Sequence, residues 1–101
     1  METRFADPSV LILASLAGGP KHGYALIKDV EEIAGVVLGP GTLYGALSRL
    51  ERAGLIEALP AEDRRRPYRI TAAGAEAARA YLEQARRVVT TGLGRLGVKH
   101  A

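Results

Sequence analysis

The chain of 101 residues has no cysteine, no tryptophan and only two histidines, His22 and His100. Without thiols there is no disulfide framework, no Cys-ligated zinc and no thiol nucleophile. Two histidines are too few for a histidine-rich metal site. Aromatic residues make up 5% of the chain. The apolar stretch from Val10 to Ala17 falls far below the ~18 residues of a membrane-spanning helix. Its flank holds Arg4 but also Glu2 and Asp7, a net negative charge that argues against an export signal, so the expected location is the cytoplasm.

What remains is an ordinary globular composition: 48% hydrophobic, 25% charged, and 14 basic against 11 acidic residues for a net charge of +3. Such a chain forms one small domain, burying roughly two thirds of its unfolded surface. Extended disorder and a large enzyme are excluded. A margin of three charges names no partner.

Punctuation residues divide the chain. Asp7-Pro8 predicts a helix start, a side-chain cap followed by proline at the first helical position, and Val10, Leu11, Ile12, Leu13 and Leu16 make that helix buried. Gly18-Gly19-Pro20 ends it. A second helix is expected from about His22 to Ala34, with Leu26, Ile27, Val30 and Ile33 inward and Lys28, Asp29, Glu31 and Glu32 outward. Val36-Val37-Leu38 reads as a short extended stretch. Gly39-Pro40 opens a third helix with Leu43, Leu47 and Leu50 as one apolar stripe. Gly54 ends it, and Leu55 falls where a Schellman cap would pack it back onto Leu50. Two short strands, Ile56 to Leu59 and Tyr68 to Ile70, flank a polar loop bounded by Pro60 and Pro67. Thr71 caps a last helix expected to reach about Thr90, with Gly92, Gly94 and Gly97 loosening the tail.

The expected fold is therefore mainly α with a small β-hairpin: a winged helix-turn-helix over residues 1–71 and one long helical C-terminal segment over residues 72–101. With its leucine stripe inward, the third helix presents Gly41, Thr42, Tyr44, Gly45, Ser48, Arg49 and Arg52. Glycines cost about 1 kcal/mol each against alanine inside a helix, and close approach to a DNA groove would offset that. The hairpin carries Arg64, Arg65, Arg66 and Arg69. Guanidinium groups fit phosphates and narrow minor grooves, although Glu62 and Asp63 adjoin them and a charged turn also serves solubility alone. Lys21, His22 and Tyr24 open the second helix, whose free N–H groups suit a phosphate. Tyr24 fits a core position under the third helix equally well. On the last helix Ala78, Tyr81, Leu82, Ala85, Val88 and Val89 form a seam too long for so small a core, which predicts a homodimer. No acid–base pair, metal cluster or nucleophile constellation is found, so neither an enzyme nor a cofactor is expected.

Three segments in order resemble the PadR-like transcriptional regulators, in particular short members with one C-terminal helix. They are Leu16-Ala17-Gly18-Gly19-Pro20 leading into His22-Gly23-Tyr24-Ala25-Leu26, the run from Pro40 to Ile56, and Arg64-Arg65-Arg66-Pro67-Tyr68-Arg69-Ile70-Thr71 with Ala72-Ala73-Gly74. The resemblance covers about residues 9 to 84. It implies a dimeric DNA-binding regulator, usually a repressor, with Pro40 to Arg52 as the recognition helix, Arg64 to Arg69 as the wing and the C-terminal helix as the main dimer interface. It also implies a small-molecule effector near that interface, where Tyr81 is the one aromatic. The expected partner is a near-palindromic operator in double-stranded DNA, with recognition helices in major grooves roughly 34 Å apart. The rival expectation is a winged helix serving as a protein-interaction module, because fold alone does not fix function.

Overall fold

The computed structural model describes residues 7–97. Glu2 and Arg4 of the N-terminal flank, and residues 98–101 of the tail with His100, lie outside the described residues. Helix α1 (Pro8–Leu16) starts at Asp7, whose carboxylate accepts the Ser9 N–H at 2.7 Å. Leu11, Ile12, Leu13 and Leu16 are buried, and α1 is the hub on which helices α2 (Gly23–Ala34), α3 (Pro40–Arg52) and α4 (Ala72–Arg95) pack.

Leu26 and Val30 of α2 are fully buried, but Ile33, expected inward, is 55% exposed. The physical reason is that the last turn of α2 runs past its cover: every residue from Glu31 to Val37 is exposed. Val36-Val37-Leu38 forms no strand, and of the three only Leu38 is buried, as a plug in the core. β-branched residues suit a strand only where an edge is free to pair with them, and here they cross between two helices.

Helix α3 starts after Gly39 with Pro40 in its first turn, and Leu43, Leu47 and Leu50 line the core. Its end is a Schellman motif: the Leu55 N–H donates to the Leu50 carbonyl and the Gly54 N–H to that of Glu51, with Gly54 at φ 76°.

The sheet has three strands rather than the expected two. Strand β3 (Pro67–Ile70) is central, between β2 (Ile56–Ala58) and a two-residue strand β1 (Lys21–His22). Lys21 pairs with Tyr68 and His22 with Pro67, while Ile56, Glu57 and Ala58 pair with Ile70, Arg69 and Tyr68, all antiparallel. The mouth of α2 is thereby hydrogen-bonded to the wing.

Thr71 caps α4 by accepting the Gly74 N–H at 3.0 Å, and its own hydroxyl donates to the Gly54 carbonyl at 2.7 Å. Gly74 and Ala78 are the buried residues of α4. Ala78, expected on an intersubunit seam, is 6% exposed within the domain's own core, which takes it out of any surface. The helix also outruns its expected end at Thr90, continuing through Gly92 and Gly94 to Arg95 before Gly97 turns left-handed at φ 79°. A glycine lowers helix propensity by about 1 kcal/mol, which weakens a long helix without stopping it.

Candidate nucleic-acid interface

The outward face of α3 is small, polar and basic. Gly41, Thr42, Tyr44, Ser48, Arg49 and Arg52 are exposed, and Gly45 is half-exposed. Nothing in the described chain lies within 4 Å of where a Cβ on Gly41 would sit, and only the Arg49 guanidinium approaches Gly45. Nothing else in the described fold needs glycine at either position. Arg49 and Arg52 occupy the last helical turn, where cations complement the helix dipole.

Tyr44 leans back over the start of α2. A Cβ on Gly23 would lie 2.5 Å from the Tyr44 Oη and 3.2 Å from its Cζ, so only glycine at position 23 leaves the ring its place. His22 is the N-cap of α2, with Nδ1 3.5 Å from the Ala25 N–H. Tyr24 is not a core residue: it is 66% exposed, with the Lys28 ammonium 5.7 Å from its ring centre.

Lys21 is placed differently from the expected phosphate contact. Its ammonium donates to the Ser15 carbonyl, near the end of α1, and lies 3.8 Å from the Asp29 carboxylate. Asp29 in turn accepts the hydroxyl of the buried Ser15 at 2.6 Å. This network ties α1, β1 and α2 together and turns the Lys21 charge inward.

The wing tip is a two-residue turn. Glu62 and Arg65 exchange both backbone hydrogen bonds, at 2.7 and 2.8 Å, around Asp63 and Arg64. Both central residues have positive φ, 47° and 68°, the type I′ geometry usually filled by Asn-Gly or Asp-Gly. Arg64 thus occupies a position that favours glycine. Arg64, Arg65 and Arg66 are exposed, and the Arg66 guanidinium donates to the Leu59 carbonyl at 3.1 Å. Arg69 stands apart, on the outer face of the sheet in an ion pair with its cross-strand partner Glu57.

These pieces meet in one open depression of about 280 Å³, where His22, Gly23 and Tyr24 face Tyr44 across from Arg64, Arg65, Arg66 and Tyr68. A neighbouring hollow of about 390 Å³ is bordered by Glu62 and Asp63 besides His22, Arg65 and Pro67, so the turn's acids lie to one side of the basic groove. Gly23 and Tyr68 lie in the segments quoted above but were not among the expected site residues, and they line the same depression. Tyr68 is half-buried, and burial first, then Glu51 and Tyr44, push its hydroxyl above the ordinary 10.0, with Arg66 opposing. Among the described residues no cluster of His, Asp and Glu could hold a metal ion, and no helix is long and apolar enough to cross a membrane.

Along α4, the seam residues Tyr81, Leu82, Val88 and Val89 are exposed and Ala85 half-exposed. Positions 81, 82, 85, 88 and 89 share one helical face. The molecule measures 50 × 28 × 24 Å, and α4 alone accounts for roughly 36 Å at 1.5 Å per residue over 24 residues.

Residues 12–80 match the transcriptional regulator PadR-like family. The chain belongs to that family. Among solved structures this PadR-like chain is similar to a transcriptional regulator from Clostridium thermocellum (30% identity over 90% of this chain and 92% of that one, TM-score 0.72). It is also similar to a PadR family transcription regulator from hypervirulent Clostridium difficile R20291 (25% identity, 90% and 98% coverage, TM-score 0.76). Among curated proteins it is 48% identical over 73 residues to an uncharacterized 37.1 kDa protein in transposon TN4556 of Streptomyces fradiae, covering 72% of this chain and 21% of that protein. The transcriptional activator GvpE2 of Halobacterium salinarum is 35% identical over 71 residues, 70% of this chain and 36% of the relative. The chain thus spans about a fifth to a third of the curated relatives it matches. Members of the PadR-like family are transcriptional regulators, not enzymes.

Proposed function

We propose that this PadR-like chain is a sequence-specific DNA-binding regulator, acting as a dimeric repressor on a near-palindromic operator in the cytoplasm. The observation that carries this reading is that Tyr44 of α3, the mouth of α2 and the arginines of the wing border one depression. Gly41, Thr42, Tyr44 and Ser48 would approach bases or sugars, Arg49, Arg52 and His22 would hold phosphates, and Arg64, Arg65 and Arg66 would hold phosphates or enter the minor groove. Arg64 favours that role, since a non-glycine residue kept at positive φ is held against a local cost of about 1 kcal/mol or more. The exposed stripe of α4 from Tyr81 to Val89 supports a two-fold dimer, and a small-molecule effector would sit against that seam.

The test is a gel shift with DNA from upstream of the protein's own coding region, with and without excess nonspecific duplex. A shift that survives competitor at moderate salt supports the reading. No retained shift would return the fold to the rival role of a protein-interaction module.

A further inference from the structure

Two lysines near the mouth of α2 are placed in opposite ways. Lys21 is turned into the fold: its ammonium donates to the Ser15 carbonyl and, at 3.4 Å, to that of Gly19, with the Asp29 carboxylate 3.8 Å away. These neighbours take up the three donors of an ammonium group, and the Lys21 and Asp29 side chains are only 22% and 31% exposed. A phosphate could reach Lys21 only at the expense of a bond it already makes. The same network occupies Asp29, which also accepts the Ser15 hydroxyl.

Lys28 lies one turn beyond Tyr24 on α2 and is exposed. Long side chains on a helix lean back over the preceding turn. Lys28 does so, and its ammonium sits 5.7 Å from the centre of the Tyr24 ring, within the range of a cation–π contact. Tyr24 in turn borders the depression that Arg64, Arg65 and Arg66 share. Glu31 and Glu32 follow Lys28 at helical spacing, yet among the described residues no carboxylate pairs with it. The charge is therefore held beside a ring that lines the basic groove, and it is not spent on a neighbour.

We propose that Lys28, seated on Tyr24, is the lysine that contacts a DNA phosphate at this end of the interface, the role from which Lys21 is withdrawn. The proposal rests on the DNA-binding reading above and adds to it a residue that lies outside the depression itself. Resting on the ring limits the rotamers of the Lys28 side chain, so less freedom is lost when a phosphate arrives.

Fluorescence anisotropy on a fixed duplex across a salt series tests this, because the slope of log affinity against log salt counts neutralised phosphates. Lys28→Gln should make that slope shallower by about 0.9 for each chain bound, and equally on unrelated sequences. Its melting temperature should hold, since lysine and glutamine have similar helix propensities at an exposed position. Lys28→Arg should keep the wild-type slope, because a guanidinium both holds phosphate and stacks on an aromatic face. Lys21→Gln should keep the slope too, even where its lost bonds lower the melting temperature. An unchanged slope in Lys28→Gln, or an equal drop in Lys21→Gln, would overturn the proposal and leave the DNA-binding reading standing. A wild-type protein with no salt-dependent binding to any duplex overturns that reading instead, and this one with it.

Discussion

Gly74 of α4 lies so close against the backbone carbonyl of Leu55 that no side chain fits between them. The contact joins the start of α4 to the residue that closes the Schellman motif of α3, beside the hydrogen bond from the Thr71 N–H to the same carbonyl. Because the obstacle is backbone, it cannot swing aside as a side chain would. Gly74→Ala should cost about 1–3 kcal/mol by overpacking. Thermal melts should then fall by roughly 5–20 °C for a domain of this size, whereas a melt within a degree of wild type would show that this corner yields.

Gly41 is the opposite case. Its surroundings are open, so Gly41→Ala should raise stability by up to about 1 kcal/mol through helix propensity. If a DNA backbone comes close here, the same methyl weakens operator binding. A variant that melts higher and binds as well as wild type would remove the functional reason for this glycine.

At the wing tip, Arg64→Gly relieves a positive φ of 68°. The left-handed conformation costs a non-glycine residue about 1–2 kcal/mol, partly offset by glycine's entropy in the unfolded chain. Stability should be unchanged or rise by up to about 1 kcal/mol, while DNA affinity falls. Chemical denaturation and anisotropy titration on the same preparation separate the two effects, and a loss of stability would contradict the strain argument.

Replacing Arg64, Arg65 and Arg66 together by alanine should weaken binding to every duplex. The slope of log affinity against log salt should become shallower by about 0.9 for each phosphate that is no longer neutralised. An unchanged slope would detach the wing from the DNA interface.

On α4, Leu82 and Val89 are 42% and 55% exposed, while the helix's own packing against the core centres on Gly74 and Ala78. If the proposed dimer forms through this stripe, Leu82→Arg or Val89→Arg should halve the mass seen in sedimentation and leave helical circular dichroism intact. Retention of the wild-type mass in both variants would place any association elsewhere.

Much of the fold was legible because it is written in short-range chemistry. Asp7-Pro8, Gly39-Pro40, Gly54-Leu55 and Thr71 mark helix ends through bonds closed within a few residues, and the leucines at 43, 47 and 50 declare their face by spacing. Strand β1 was not legible, because two residues carry no period and their partners lie far along the chain. The inward turn of Lys21 was hidden for the same reason, since Ser15 and Asp29 reach it only in three dimensions. Of the candidate site, the arginines and Tyr44 stand out on one helix face and one loop, whereas Gly23 and Tyr68 reach the depression only once the chain is folded.

The pairing of Lys21 with Tyr68 joins residues far apart along the chain, and it has a kinetic consequence. Closing so long a loop before any reward is slow, so the third strand should join only after the helices have collapsed around Leu16, Leu26 and Leu47. A two-stranded hairpin by itself is marginal in water. The wing should accordingly be among the last parts of the molecule to form during refolding and among the first to open, with the amides of Tyr68 and Leu59 exchanging hydrogen ahead of those in α1.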